Sequence, residues 1–230
     1  MNPMVGNRIY KEIQRPQEEL VAAFAGMPSS NIGDMMSRLY CMSADIIPYS
    51  DKPLLGTAFT VKVPMGDNAM LHYALDIAQP GDVIVVDGAG AVDRSLCGEI
   101  MFTYAMSRGI AAFVINGAIR DSDAARSLGF PVYAKAVCPQ GPYKNGLGEI
   151  NVPICCGNQV VLPGDILAGD ADGIVVIRKE DARAVLEATS KKVAYEAELL
   201  KNYHNGIFER EEHRATYEKV LQANGTLVYD

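Results

Sequence analysis

The sequence has no C-x-x-C pair, no H-x-x-x-H spacing, no run of lysine and arginine, and no long apolar stretch. Each absence removes a class of protein. The five cysteines, Cys41, Cys97, Cys138, Cys155 and Cys156, are odd in number and suit neither a disulfide framework nor a zinc ribbon. They read as buried or half-buried thiols of a reducing compartment. The three histidines, His72, His204 and His213, give no support to a histidine-built zinc site, so any bound metal is left to carboxylates. A net charge of -7 without a basic run argues against nucleic acid as the main partner. No run approaches the roughly 18 apolar residues of a membrane helix. The first twenty residues lack the apolar core of a signal peptide. A cytoplasmic protein with no membrane partner is expected.

What is present is a globular composition, 49% apolar over 230 residues, enough for one substantial core. "RPQEELVAAFAGMPSS" reads as a helix with Pro16 near its first turn and Gly26 past its end, and "SSNIGDMMSRLY" as a second with Ser30 or Asn31 as N-cap. From residue 56 to residue 137, strand patterns alternate with helix patterns. "GTAFTVKVP", "VIVVDG", "IAAFVING" and "PVYAKAV" are the strands, and "NAMLHYALDIAQPGD", "EIMFTYAMSRG" and "SDAARSLG" the helices between them. Asp121 or Ser122 is the expected N-cap of the last helix, with Gly129 just past its end. That alternation predicts a parallel α/β layer. After Val137 short Val/Ile runs and frequent turn residues predict hairpins, a β layer on the same core. From about residue 178 the chain turns polar and helical. The expectation is α/β: one layered α/β/β domain over residues 1–230, with a central parallel or mixed sheet and a C-terminal helical extension that packs on a neighbouring subunit.

The stretch "GEIMFTYAMSRGIAAFVINGAIRD", Gly98 to Asp121, opens on a glycine and an acid and closes on an arginine and an acid, with twenty mostly apolar residues between Glu99 and Arg120. Both ends are strand-to-helix junctions. In a parallel sheet such junctions lie together at the carboxyl ends of the strands, where open α/β sheets bind ligands. The helix start at residues 98 to 101 offers backbone N–H groups to a carboxylate, and Gly98 lets the backbone come close. Arg120 offers a planar fork, and Asp121 and Glu99 offer hard oxygen donors suited to Mg²⁺ or Mn²⁺. A 2-oxo acid fits that combination, and aldol cleavage or oxaloacetate decarboxylation follows from it. The same residues also allow a plainer account, in which Asp121 caps a helix, Arg120 pairs with it and Glu99 serves the helix dipole.

The acid–x20–R-D spacing, "VPMGDNAMLH", "AVCPQGPYKNGLGEINVPI" and "PGDILAGDADGIVVI" together resemble the class II pyruvate aldolases. That family includes the 4-hydroxy-4-methyl-2-oxoglutarate and 4-carboxy-4-hydroxy-2-oxoadipate aldolases and is related to the regulator of ribonuclease activity A. The resemblance runs from about Ser30 to the C-terminus. It implies that the amides of Gly98, Glu99, Ile100 and Met101 hold the substrate carboxylate, that Arg120 contacts the substrate, and that Asp121 ligates Mg²⁺ or Mn²⁺ with Glu99 acting through water. Glu196, from a neighbouring subunit of a homotrimer or homohexamer, would complete the metal's surroundings through water. The family has Asp after the glycine where this chain has Glu99. The longer acid is expected to shift the metal's waters, which bears on the reaction rather than on the site.

Other features carry less. Gly88, Gly90 and Asp93 lack the third glycine and the acid of a nucleotide or S-adenosylmethionine loop, which leaves a methyltransferase as a weak alternative and a loop over the pocket as the expectation. Lys62 and Lys135 lie in strands, where class I aldolases keep a Schiff-base lysine, but an outward edge position accounts for one of them. Asp170 and Asp172 read as a hairpin turn rather than a calcium loop. The alternative from a different class is a non-catalytic regulator that binds an endoribonuclease.

Overall fold

A computed structural model describes residues 5–207 and 210–226. In chain order its elements are β1 (Asn7–Ile9), α1 (Glu18–Ala22), α2 (Ser29–Met35), β2 (Ile47–Pro48), β3 (Leu54–Lys62), α3 (Ala69–Ile77), β4 (Asp82–Asp87), α4 (Glu99–Ser107) and β5 (Ala112–Ile119). There follow α5 (Ser122–Leu128), β6 (Val132–Val137), β7 (Gly148–Ile150), β8 (Ile154–Cys156), β9 (Gln159–Val161), β10 (Ile166–Asp170), β11 (Gly173–Ile177), α6 (Ala182–His204) and α7 (Glu211–Ala223). The chain divides into two compact units, Met1–Ser190 and Lys191–Asp230.

The first unit is the layered α/β fold that the alternation predicts. β3, β4, β5 and β6 are parallel neighbours in that order, and β2 closes the β6 edge antiparallel. Every residue of β4 is buried, as its unbroken "DVIVVD" run requires of a strand covered on both faces. Alternation along these strands sorts two cores. Phe59, Ile84, Phe113 and Val132 face α3, α4 and α5 through Leu71, Leu75, Phe102 and Ala125. Their neighbours Ala58, Val83, Val114 and Tyr133 face a β layer that supplies Ile154, Val161, Leu167 and Val176. A third cluster sets Phe24, Ile32 and Val185 on the outside of β10 and β11.

β3 divides one edge between two strands. Its first half pairs antiparallel with β10 and its last two residues with β7, which in turn pairs with β1. Polar ties hold the N-terminal segment to this body. Arg8 pairs with Glu149, Arg15 makes a bidentate bond to buried Asp82 at 2.9 and 2.7 Å, and Ser29 bonds to Asp170.

Several local expectations are corrected. α1 holds only five residues, with Pro16 ahead of it, and the chain turns on to Gly26 without continuing the helix. α2 starts at Ser29 behind Pro28, so neither Ser30 nor Asn31 is its N-cap. The Asp170 carboxylate does that work from a distant hairpin, accepting from Ser29 N at 2.8 Å and Ser29 Oγ at 2.7 Å. Asp170 also accepts from Asp172 N at 3.0 Å, which makes the β10–β11 connection a polar-capped hairpin turn, as expected.

In the second unit the end of α6 and α7 expose Tyr195, Leu200, Tyr217, Val220 and Leu221. Lys192 and Glu196 form an i,i+4 ion pair at 2.7 Å. Among the described residues, no helix is long and apolar enough to cross a membrane.

Candidate active site

The two junctions meet. After β4 the chain loops back so that residues 95–97 run beside the end of β5. Ser95 and Ala118 form a parallel bridge, Leu96 N donates to Ala118 O at 2.8 Å, and Arg120 N donates to Cys97 O at 2.9 Å. The next residue in each segment is therefore Gly98 facing Arg120 and Asp121. A Cβ on Gly98 would lie 2.4 Å from Asp121 Oδ2, 2.8 Å from Arg120 Cγ and 3.1 Å from Arg120 Nε. Gly98 has φ −161°, extended backbone that any residue adopts, so space and not conformation demands glycine here.

The contact is a hydrogen bond. Glu99 N, at the first turn of α4, donates to Asp121 Oδ2 at 3.1 Å. Asp121 occupies the N-cap position of α5, as expected, but its side chain makes no bond to that helix. It caps α4 instead. The backbone of Asp121 is left-handed, φ 55° and ψ 44°, a costly conformation for a residue with a Cβ. Arg120 Nε lies 3.5 Å from the same Oδ2, and both side chains stay partly open to solvent. Cys97 is buried beside them. Burial first, and then the Asp121 charge, push its thiol far above the usual range, so it is a packing residue and no nucleophile.

Arg120 stands between two hollows. One, of about 360 Å³, is lined by Asn68, His72, Gly98, Ile100, Arg120 and Lys144 among others. The other, of about 380 Å³, is lined by Arg120, Asp121, Ser122, Asp123, Val137 and Pro139. Of the four amides that the resemblance assigns to a carboxylate, Glu99 N is bonded to Asp121 and Met101 N donates to Gly98 O at 2.9 Å. The amides of Gly98 and Ile100 make neither bond. Ile100 is 81% exposed at the rim, whereas Met101 is buried under the helix start.

Three polar lining residues were not singled out from sequence. Asn68 precedes α3 and is buried. Its Nδ2 donates to Leu96 O at 2.8 Å, and its Oδ1 has no partner among the described residues. His72 lies one turn on, on the same helix face, and Lys144 comes from the loop after β6. Burial, then the Lys144 charge, lower the His72 pKa against a smaller opposing effect of Asp76, so the imidazole is neutral at pH 7. The i,i+4 spacing of Asn68 and His72 was the available signal; Lys144 had none.

Asp121 and Glu99 are hard oxygen donors, yet no group of three or more His, Cys, Asp or Glu converges among the described residues. This set fits a cation that keeps most of its waters, such as Mg²⁺ or Mn²⁺, and not a closed zinc centre. Glu196 lies in the second unit, paired with Lys192. Lys62 is 3.9 Å from Asp87, and Lys135 is 2.7 Å from Asp45, whose pKa that bond lowers. Gly88 is required by packing: a Cβ there would come within 2.7 Å of Leu96 Cδ1.

The description "RraA-like: Aldolase/RraA" belongs to a family model that matches residues 29–176. A Halalkalibacterium halodurans protein named "Putative 4-hydroxy-4-methyl-2-oxoglutarate aldolase" is 38% identical over 177 residues, 76% of this chain and 84% of that protein. The RNA-processing inhibitor RraA from Thermus thermophilis superposes with a TM-score of 0.61 at 27% identity, covering 65% of this chain and 92% of that one. A structure titled as the S-adenosylmethionine:2-dimethylmenaquinone methyltransferase of Geobacillus kaustophilus gives a TM-score of 0.61 at 32% identity, covering 66% and 95%.

Proposed function

The chain belongs to the RraA-like family (aldolase/RraA) through residues 29–176, and from that premise we propose that it is a divalent-metal-dependent lyase. It cleaves 4-hydroxy-2-oxo acids to pyruvate and a second 2-oxo acid, and it decarboxylates oxaloacetate. The observation that carries this reading is the junction of Gly98 with Arg120 and Asp121, closed by the 3.1 Å bond from Glu99 N to Asp121 Oδ2 and too tight for any Cβ at Gly98. A purely structural cap would not need an arginine fork held open to solvent beside it.

When bound, Mg²⁺ or Mn²⁺ supplies Lewis acidity to the oxo group and adjoining carboxylate of the substrate. The residues present divide the remaining work. Asp121 would hold the metal, and Glu99 would act on it through water. The free N–H groups at the start of α4 receive the substrate carboxylate. Arg120 aims its planar fork at the C2 oxygen, where negative charge collects as the C3–C4 bond breaks and its electron pair moves inward. The C4 hydroxyl loses its proton to a held water as the second oxo acid departs, and the enolate left behind takes a proton at C3 from water to give pyruvate. Oxaloacetate follows the same electron flow with CO₂ leaving. Glu196 of a neighbouring copy would complete the metal's surroundings through water, in a homotrimer or a dimer of trimers.

The test is pyruvate release from oxaloacetate and from a 4-hydroxy-2-oxo acid by purified protein. EDTA is expected to abolish turnover and Mg²⁺ or Mn²⁺ to restore it. Trapping of a pyruvate–protein adduct by borohydride overturns the reading. Likeness to the Thermus RraA favours one second reading, a non-catalytic regulator of an endoribonuclease. Inhibition of such a nuclease by a protein that turns over neither substrate with either metal would establish it.

A further inference from the structure

The roof of the cleft is the loop 139–147, between β6 and β7, which brings Lys144 to the cleft wall and Gly141 against Arg120. A Cβ on Gly141 would lie 3.3 Å from Arg120 Nη1. What fixes this loop is therefore also what limits the Arg120 fork. Two systems hold it. The first is a ladder built mainly on backbone: Ser95 N and Ser95 Oγ donate to Gln140 O at 2.8 and 3.0 Å, Tyr143 N donates to Gly66 O at 2.7 Å, Asn68 N donates to Tyr143 O at 3.1 Å, and Asn145 N donates to the Asp67 side chain at Oδ2 at 2.5 Å. The second is the side chain of Arg94. Its guanidinium stacks 4.0 Å from the centre of the Tyr143 ring. Its Nη1 donates to Gly141 O at 2.9 Å and its Nη2 to Tyr143 Oη at 2.8 Å. The Gln140 amide, in the orientation that satisfies its neighbours, accepts from Arg94 Nη2 at 2.7 Å and donates to Asp93 O at 3.0 Å. The alkyl stem of Arg94 lies over Gly66, where a Cβ would meet Cδ at 2.7 Å.

Arg94 sits four residues before Gly98, in the loop that delivers the start of α4. It thus joins the segment carrying the Gly98 amide, the loop carrying Asn68, and the roof that abuts Arg120. The guanidinium thus serves three acceptors, the Gly141 carbonyl, the Tyr143 phenol and the Gln140 amide, all on the roof loop. From this geometry we infer that Arg94 is a positioning residue: it sets the height of the Gly141 roof and so the register of the Arg120 fork over the α4 amides. The part of the inference that concerns turnover rests on the lyase reading. The clamp itself does not.

The experiment pairs Arg94→Met with Arg94→Lys. Methionine keeps a stem over Gly66 and removes the fork; lysine restores a cation over Tyr143 but on a single nitrogen that cannot span the fork's acceptors. The backbone ladder remains in both, so the fold is expected to survive. Amide exchange of the peptide covering residues 139–147 should quicken at least about tenfold in Arg94→Met, with the rest of the chain unchanged. kcat/KM for oxaloacetate should fall about tenfold or more with Tm nearly constant, because a displacement well under 1 Å already weakens an aligned fork. Arg94→Lys should recover part of both effects. Unchanged exchange in Arg94→Met refutes the clamp. Quickened exchange with wild-type kcat/KM refutes the link to Arg120, as does a fall in kcat/KM that only tracks lost folded protein. If the wild type turns over no 2-oxo acid, the lyase reading has failed, and the exchange measurement still decides the clamp.

Discussion

Replacing Gly98 with alanine separates the site from the fold. The backbone at φ −161° accepts alanine without strain, so the added methyl acts only through contact. It would sit 2.4 Å from Asp121 Oδ2, against about 3.4 Å for an ordinary contact, and the carboxylate must retreat by about 1 Å. That retreat breaks the 3.1 Å bond from Glu99 N and turns Arg120, whose Cγ is the next atom struck. Misplacement of a catalytic fork by roughly 1 Å costs on the order of 10²-fold in kcat/KM. Stability should suffer far less. The Arg120 and Asp121 side chains are 45% and 42% exposed and can swing outward. The overpacking cost should therefore stay near the low end, about 1 kcal/mol, which lowers Tm by about 2–4 °C in a unit of this size. The assay is pyruvate release from oxaloacetate with Mg²⁺, beside a thermal melt. A variant that keeps half of the wild-type kcat/KM would show that the two junctions need not touch. Loss of the fold would show that the contact is structural.

Arg120→Lys should lose most activity although the charge is kept, because a point charge cannot reproduce the planar fork; near-normal kcat/KM would make Arg120 a surface partner of Asp121. Asp121→Asn can still accept from Glu99 N, so Tm should change by no more than about 1 kcal/mol of cap energy allows, while Mg²⁺-dependent turnover disappears. Mixed hetero-oligomers of an Arg120 variant and a Glu196 variant, with subunit exchange checked by mass, should regain part of the activity; a fully active wild-type monomer would refute the shared site. Arg8 holds the Glu149 pKa below its usual range through a hydrogen bond. The bond's contribution is therefore complete above the ordinary carboxylate pKa and lost as pH falls through the depressed one. Melts of wild type and Glu149→Gln should differ at neutral pH and converge in acid; a constant difference would mean the effect is packing.

The parallel core was legible because its signals are local. β4 carries an unbroken apolar run between its two aspartates, α4 begins just after a glycine, and α5 ends at Gly129 in the left-handed region. The meeting of residues 98–99 with 120–121 was legible one step further on, because parallel topology alone brings both junctions to one edge. What the Asp121 side chain does there was not. Its sequence context favours capping its own helix, and only the closeness of Gly98 shows that it caps the other. The α2 cap depends on Asp170, 141 residues away, and Lys144 joins His72 only because the roof loop is pinned to residues 66–68. No periodicity encodes such meetings. The placement of β7 between β1 and β3 was equally hidden, since three residues carry too little pattern to choose a neighbour.

The ties of the N-terminal segment have a consequence in time. Ser29 reaches Asp170, and Arg8 reaches Glu149, each across 141 residues, and Arg15 reaches Asp82 across 67. During synthesis the first thirty residues leave the ribosome with none of these partners yet made, and at about 5–20 residues per second the wait for Asp170 lasts on the order of ten seconds. α1 and α2 are too short to hold a helix alone over that interval. This segment therefore cannot complete its docking until β10 and its Asp170 have been made. Such a late, non-local step slows folding and leaves Phe24 and Ile32 open to aggregation or chaperone capture until it is complete.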